Sequence, residues 1–280
     1  MGTVLRGLQM LLVLLMVGTA AGLLWASSHY LHWGPALEPA AANYTGASAA
    51  DCPARAQPSP QGRLGAIRYR VRAPANYLAT HAHPLVVVYA PAGLGPGLVE
   101  RYTGLTRALT LRGYLVAYVS SIRLSAASVT ALAQVPVEIA AQWCVDRQRI
   151  VLTGHSDGGT VSQIIAASAD AAGMPAAIAA SAAGVRADDL AAYACPMPRD
   201  VAILHGRNDD HFPGYGAQAL GWWHDCLACD PTGLPVAAGC TRFTGCRGDA
   251  LLWWCPHEGG HLTWRGNRAR LLGFLDARGG

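Results

Sequence analysis

Ser156 stands in Gly154-His155-Ser156-Asp157-Gly158-Gly159, a G-x-S-x-G pattern. A serine hydroxyl is a weak nucleophile alone and becomes an effective one beside a base that takes its proton. The pattern gains chemical meaning when an apolar strand runs into it and a helix leaves it. Here Ile150-Val151-Leu152-Thr153 precedes it, and a run of small residues with helical spacing, 158–171, follows. Gly154 and Gly158 let the strand and helix backbones approach, so Ser156 projects from a tight turn at a helix N-terminus. The competing reading is a glycine-rich turn with an idle serine.

Acyl transfer by such a serine needs a base and an acid that orients it, in the chain order acid and then histidine. Val201-Ala202-Ile203-Leu204 reads as a strand entering His205-Gly206-Arg207-Asn208-Asp209-Asp210, and 249–254 reads as another that ends before His257-Glu258-Gly259-Gly260-His261. Asp209 and His261 thus fall on loops after strand carboxyl ends, where open α/β sheets place their ligands. In this assignment Ser156 attacks an ester carbonyl. His261 takes the hydroxyl proton and returns it to the leaving alcohol, and Asp209 fixes the imidazole tautomer. Asp210 is the rival acid and His257 the rival base; the two glycines before His261 favour His261. His205 reads as a packed or hydrogen-bonding histidine, and His81 and His83 as solvated ones. The oxyanion hole would take the N–H of Asp157 and one from Ala92 or Gly93, because Pro91 has none.

These groups need elements to hold them. Residues 66–72 alternate apolar and charged, as a half-exposed strand does, and 84–90 form a continuous apolar run, as a strand buried on both faces does. Further strands are predicted at 114–119, 149–153 and 176–181, and helices at 98–111, 126–143, 214–225 and 264–277. Strands alternating with helices predict an α/β fold, a mostly parallel central sheet with helices on both faces, in one domain spanning 64–280.

The composition bounds the rest. Of 280 residues, 52% are hydrophobic and 14% charged, which excludes a disordered chain. All 21 basic residues are arginine, set against 17 acids, and no run of them suggests a nucleic-acid surface. Gly7–Trp25 is nearly continuous apolar sequence of roughly membrane-spanning length, with Arg6 before it. Segment 1–26 therefore reads as a signal peptide or an uncleaved membrane anchor. Residues 27–63, rich in Ala and Pro, read as a linker, and Asn43-Tyr44-Thr45 matches a glycosylation sequon by pattern. The body is then exported, either secreted or held outside the cytoplasmic membrane. Eight cysteines fit an oxidising compartment, with five of them in a loop-rich excursion over 226–255. Cys226-Leu-Ala-Cys229 lacks the context of a redox or zinc motif, so disulfides are the expected use, and no metal or cofactor is expected. If the strands before Ser156 and His205 are neighbours, Cys144 and Cys195 are close enough to bridge.

The segments Gly154–Gly159, His205-Gly206-Arg207-Asn208-Asp209 with Phe212-Pro213, and Gly260-His261-Leu262-Thr263-Trp264 stand in order. Together they resemble the extracellular esterases grouped with polyhydroxybutyrate depolymerases and with feruloyl and acetylxylan esterases. The resemblance covers roughly 64–277. It implies an α/β-hydrolase fold, a serine esterase working through an acyl-enzyme without cofactor, and a polyester, feruloyl or acetyl ester as substrate. It also implies a Cys226–Cys246 bridge. Three departures stand out: Ala90-Pro91 replaces the usual His-Gly of the oxyanion loop, His155 replaces an apolar residue, and Arg265-Gly266 follows the histidine motif. The first leaves room for a catalytically weak binding protein on the same fold, and the serine set also suits acyl transfer or peptide hydrolysis. Among Trp222, Trp223, Trp253, Trp254 and Trp264, the last is the candidate for substrate contact.

Overall fold

The computed structural model describes residues 2–44, 52, 58–168 and 175–278. Ten strands form one sheet: β1 (Gln61–Leu64), β2 (Ile67–Arg72), β3 (His83–Tyr89), β4 (Leu115–Val119), β5 (Val145–His155), β6 (Ala177–Ser181), β7 (Asp200–Gly206), β8 (Leu234–Val236), β9 (Cys240–Phe243) and β10 (Leu252–His257). Their spatial order is β1-β2-β4-β3-β5-β6-β7-β10-β9-β8. The six from β4 to β10 in that order run parallel, and an antiparallel pair closes each edge.

Strand alternation explains the layering. On β3, Leu85, Val87 and Tyr89 enter one apolar core and Val86 and Val88 the other, on opposite faces of the sheet. Each core is covered by helices: α2 (Pro96–Thr103), α3 (Thr106–Leu111), α4 (Ala126–Ala133), α5 (Val135–Ala140), α6 (Asp157–Ser168), α7 (Ala187–Leu190), α8 (Tyr215–Leu227) and α9 (Asn267–Arg278), after α1 (Gly2–Tyr30) at the N-terminus. Burying each such Val or Leu contributes about 1.5–3 kcal/mol, which is why β3 and β5 form the centre.

Two helices expected as single pieces are each broken. Gly104, at φ 60°, caps α2 in the left-handed region and separates it from α3. Pro136 starts α5 and cannot continue α4. Residues 169–171 of the helix predicted after Ser156 lie outside the described residues, as does Thr45 of the sequon.

The described part of the expected linker is packed on the body. Ala40 and Ala42 are buried, and Ala40 N–H donates to Thr110 Oγ1 at 2.8 Å. Asn76 accepts from Ala42 N–H and donates to its carbonyl. Small alanines approach closely there, and their backbone groups find partners that water would otherwise supply. Gly7–Trp25 lies within α1, where Leu14, Leu15 and Leu24 are exposed. Among the described residues, no helix is long and apolar enough to cross a membrane; several side chains of α1 are not among them.

All eight cysteines are paired, as Cys52–Cys144, Cys195–Cys226, Cys229–Cys246 and Cys240–Cys255. Neither expected bridge forms. Cys144 and Cys195 precede β5 and β7, but β6 lies between those strands and keeps their ends apart. Cys226, in the last turn of α8, bridges to Cys195, which leaves Cys246 to Cys229, three residues beyond Cys226.

Candidate active site

Strand β5 delivers Ser156 to the end of the sheet. Ser156 follows its last residue and adopts φ 55°, a left-handed conformation rare outside glycine. The turn survives because its flanks are bare. A Cβ on Gly158 would lie 2.1 Å from the Tyr89 carbonyl oxygen, and one on Gly154 would lie 2.5 Å from the Gly158 backbone. Ser156 N–H donates to the Ser181 carbonyl at 2.9 Å, which locks the turn onto β6.

The loops after β7 and β10 bring the other groups to it. His261 Nε2 lies 2.9 Å from Ser156 Oγ, and its Nδ1 lies 2.9 Å and 3.1 Å from the two carboxylate oxygens of Asp209. Asp209 is only 2% exposed. The N–H groups of His211 and Phe212 donate to its Oδ1 at 3.0 Å and 2.9 Å, so a tight turn holds the carboxylate. Burial alone would raise its pKa. Hydrogen bonds from His261 and Phe212 N–H, with the nearby imidazoles, outweigh burial and hold it below the ordinary carboxylate value.

The rivals are placed elsewhere. Asp210 is exposed. His257 Nδ1 accepts from Gly259 N–H at 3.1 Å, and burial with nearby Arg270 lowers its pKa to about 4. His205 is buried, with Nε2 donating to the Phe212 carbonyl at 2.9 Å. His83, expected in solvent, is fully buried at the start of β3, where it stacks on Tyr77 and meets the carbonyls of Gly113 and Leu78. His81 is half-buried against Tyr44.

Asp157 is the first residue of α6, so helix geometry gives its N–H no partner within the helix. Burial raises the pKa of its side chain. Ala92 and Gly93 are exposed on a turn closed by Leu94 N–H to the Pro91 carbonyl. Trp264, the candidate for substrate contact, lies at the edge of a pocket that also involves Tyr102 and Leu262. It is 3% exposed, its Nε1–H donates to the Thr103 carbonyl at 3.0 Å, and its ring meets His155 edge-on. Trp223 and Trp253 are likewise buried.

A network that the sequence did not reveal ties these loops together. His155 Nε2 lies 2.7 Å from the His261 carbonyl oxygen and therefore carries the proton. Its Nδ1 accepts from the Ser181 hydroxyl at 2.9 Å, which in turn accepts from the Asn267 amide. The residue beside Ser156 thus fixes the backbone of His261. His211 and Phe212 flank the His261 ring at 4.7 Å and 5.1 Å. The adjacency of His155 to Ser156 was the available signal; Ser181 and Asn267 carried none. Among the described residues, no group of three or more His, Cys, Asp or Glu is arranged to hold a metal ion.

Burial, reinforced by nearby His261, pushes the His155 pKa down to about 3. The folded state therefore keeps it neutral while an unfolded chain takes up a proton below about 6.5. Stability is then fully present above about pH 6.5 and is lost as pH falls toward 3. Thermal unfolding should show a falling midpoint from about pH 7 to pH 4, and His155→Gln should reduce that slope. A flat wild-type profile, or an unchanged slope in the variant, would contradict this origin.

No protein-family model matches the chain, and no curated protein matches it. Solved structures do. Esterase 2 of Thermogutta terrifontis with butyrate bound aligns at TM-score 0.52 and 13% identity, over 76% of this chain and 90% of that one. An acetyl xylan esterase from Aspergillus awamori aligns at 0.53 and 14%, over 75% and 94%. Dipeptidyl peptidase 4 of Porphyromonas gingivalis aligns at 0.55 and 15%, over 75% of this chain and 33% of that one. At such identities the likeness is one of fold, and the fold is that of the α/β-hydrolases.

Proposed function

We propose that this chain of α/β-hydrolase fold is an exported serine ester hydrolase. The observation that carries the reading is the continuous hydrogen-bonded line Ser156 Oγ, His261 Nε2, His261 Nδ1, Asp209. His261 takes the Ser156 proton as Oγ attacks the ester carbonyl. The tetrahedral oxyanion is met by Asp157 N–H and an N–H from the 92–93 turn. His261 then protonates the leaving alcohol, and water, activated by the same imidazole, releases the acyl group. Asp209 holds the imidazole in the tautomer with its proton on Nδ1 and balances the imidazolium charge.

Export is supported by the four disulfides, which persist in oxidising compartments. The likeness to the Thermogutta and Aspergillus esterases supports an ester as substrate. With p-nitrophenyl acetate and butyrate, turnover is expected from the folded, disulfide-bonded chain. No turnover of any ester would overturn the activity.

A further inference from the structure

The arginines that are scattered in sequence converge in space. On β2 the buried Ile67, Tyr69 and Val71 alternate with Arg68, Arg70 and Arg72, which therefore share the opposite face. Antiparallel pairing with β1 sets Arg63 directly opposite Arg68. Like charges in that position cost stability. Together with Arg101 of α2 they line a cleft of about 890 Å³. Its lining holds one carboxylate, Glu100, and the excess of four positive charges equals the formal net charge of the whole chain.

The cleft already shows how it holds a carboxylate. Glu100, side chain 3% exposed, lies on Arg72 at 2.7 Å and 3.0 Å and on Arg70 at 3.2 Å, and accepts from the Thr106 hydroxyl at 2.8 Å. Arg101 covers the Trp33 ring at 4.4 Å. Arg63 and Arg68 are exposed, and no acid in the lining faces them. A concave surface of one sign focuses its field and gathers anions.

We propose that this cleft binds an acidic polysaccharide, with Arg63 and Arg68 taking successive carboxylates along the chain. Arg68, Arg70 and Arg72 recur at every second residue along β2, a row with steps of about 6.6 Å that suits a repeating anion better than a single phosphate. Single-stranded nucleic acid would want open aromatic faces to stack on. Here the Tyr69 ring is buried against Gly62, and the Trp33 face is taken by Arg101.

The test titrates the full disulfide-bonded chain with fluorescently labelled, unesterified oligogalacturonate at low and at physiological salt. Saturable binding that weakens with salt is expected. The double variant Arg63→Ala/Arg68→Ala should weaken it at least about tenfold. Its melting temperature should be unchanged or raised, because the like-charge pair is gone, and its p-nitrophenyl acetate turnover should stay at the wild-type level. Absence of saturable binding, equal binding by the double variant, or tighter binding of single-stranded DNA or of phosphatidylglycerol vesicles would overturn the proposal. The oligomer carries no ester, so this result is independent of the hydrolase reading.

Discussion

Replacing Ser156 with alanine is expected to lower kcat/KM for p-nitrophenyl acetate by about 10⁵-fold or more. In the proposed mechanism the Ser156 hydroxyl carries the acyl group, and no other hydroxyl lies within hydrogen-bonding reach of His261 Nε2 among the described contacts. The fold should survive the change. The turn is held by Ser156 N–H on the Ser181 carbonyl and by Thr160 N–H on the Ser156 carbonyl, and alanine keeps both. Steady-state kinetics with a circular dichroism melt would separate loss of chemistry from loss of structure. Residual activity above about a hundredth of wild type in a folded variant would remove Ser156 from its role.

The second large effect separates two adjacent carboxylates. Asp209→Asn should cost about 10⁴-fold in kcat, while Asp210→Asn should stay within about threefold of wild type. Asp209 is buried and accepts from His261 Nδ1, whereas Asp210 is exposed. An asparagine at 209 turns an N–H₂ group or a weaker acceptor toward Nδ1, and the imidazole loses the tautomer that presents a free Nε2 lone pair to Ser156. The depressed pKa of Asp209 keeps it ionised through neutral and mildly acidic pH, so this interaction is lost only below the usual carboxylate range. The reverse ranking of the two variants would transfer the acid role to Asp210.

Much of this arrangement could be read from residue order. The apolar run of β3, the strand into Gly154 and the glycines around Ser156 are local signals, because period-two burial and tight turns are set by neighbours in sequence. The placements of Asp209 and His261 followed from the same rule applied to β7 and β10. What was not legible depends on which strands lie side by side. The Cys144–Cys195 expectation required β5 and β7 to be neighbours, and β6 intervenes. Trp264 sits in a motif beside His261, yet its ring turns inward to Thr103, a partner far away in sequence. The packing of Ala40 and Ala42 on Thr110 and Asn76 has the same origin: a composition typical of a linker does not reveal that a complementary surface awaits it. The convergence of Arg63 with Arg68 needed the β1–β2 register, which no charge count supplies.

Covalent trapping probes the proposed relay most directly. The purified chain is treated with a fluorophosphonate and digested, and the adduct is located by mass spectrometry. One adduct per chain on the peptide containing Ser156 is expected, with none on the His261→Ala variant. An unlabelled wild-type chain, an adduct on another residue, or undiminished labelling without the imidazole would show that these three side chains do not act together.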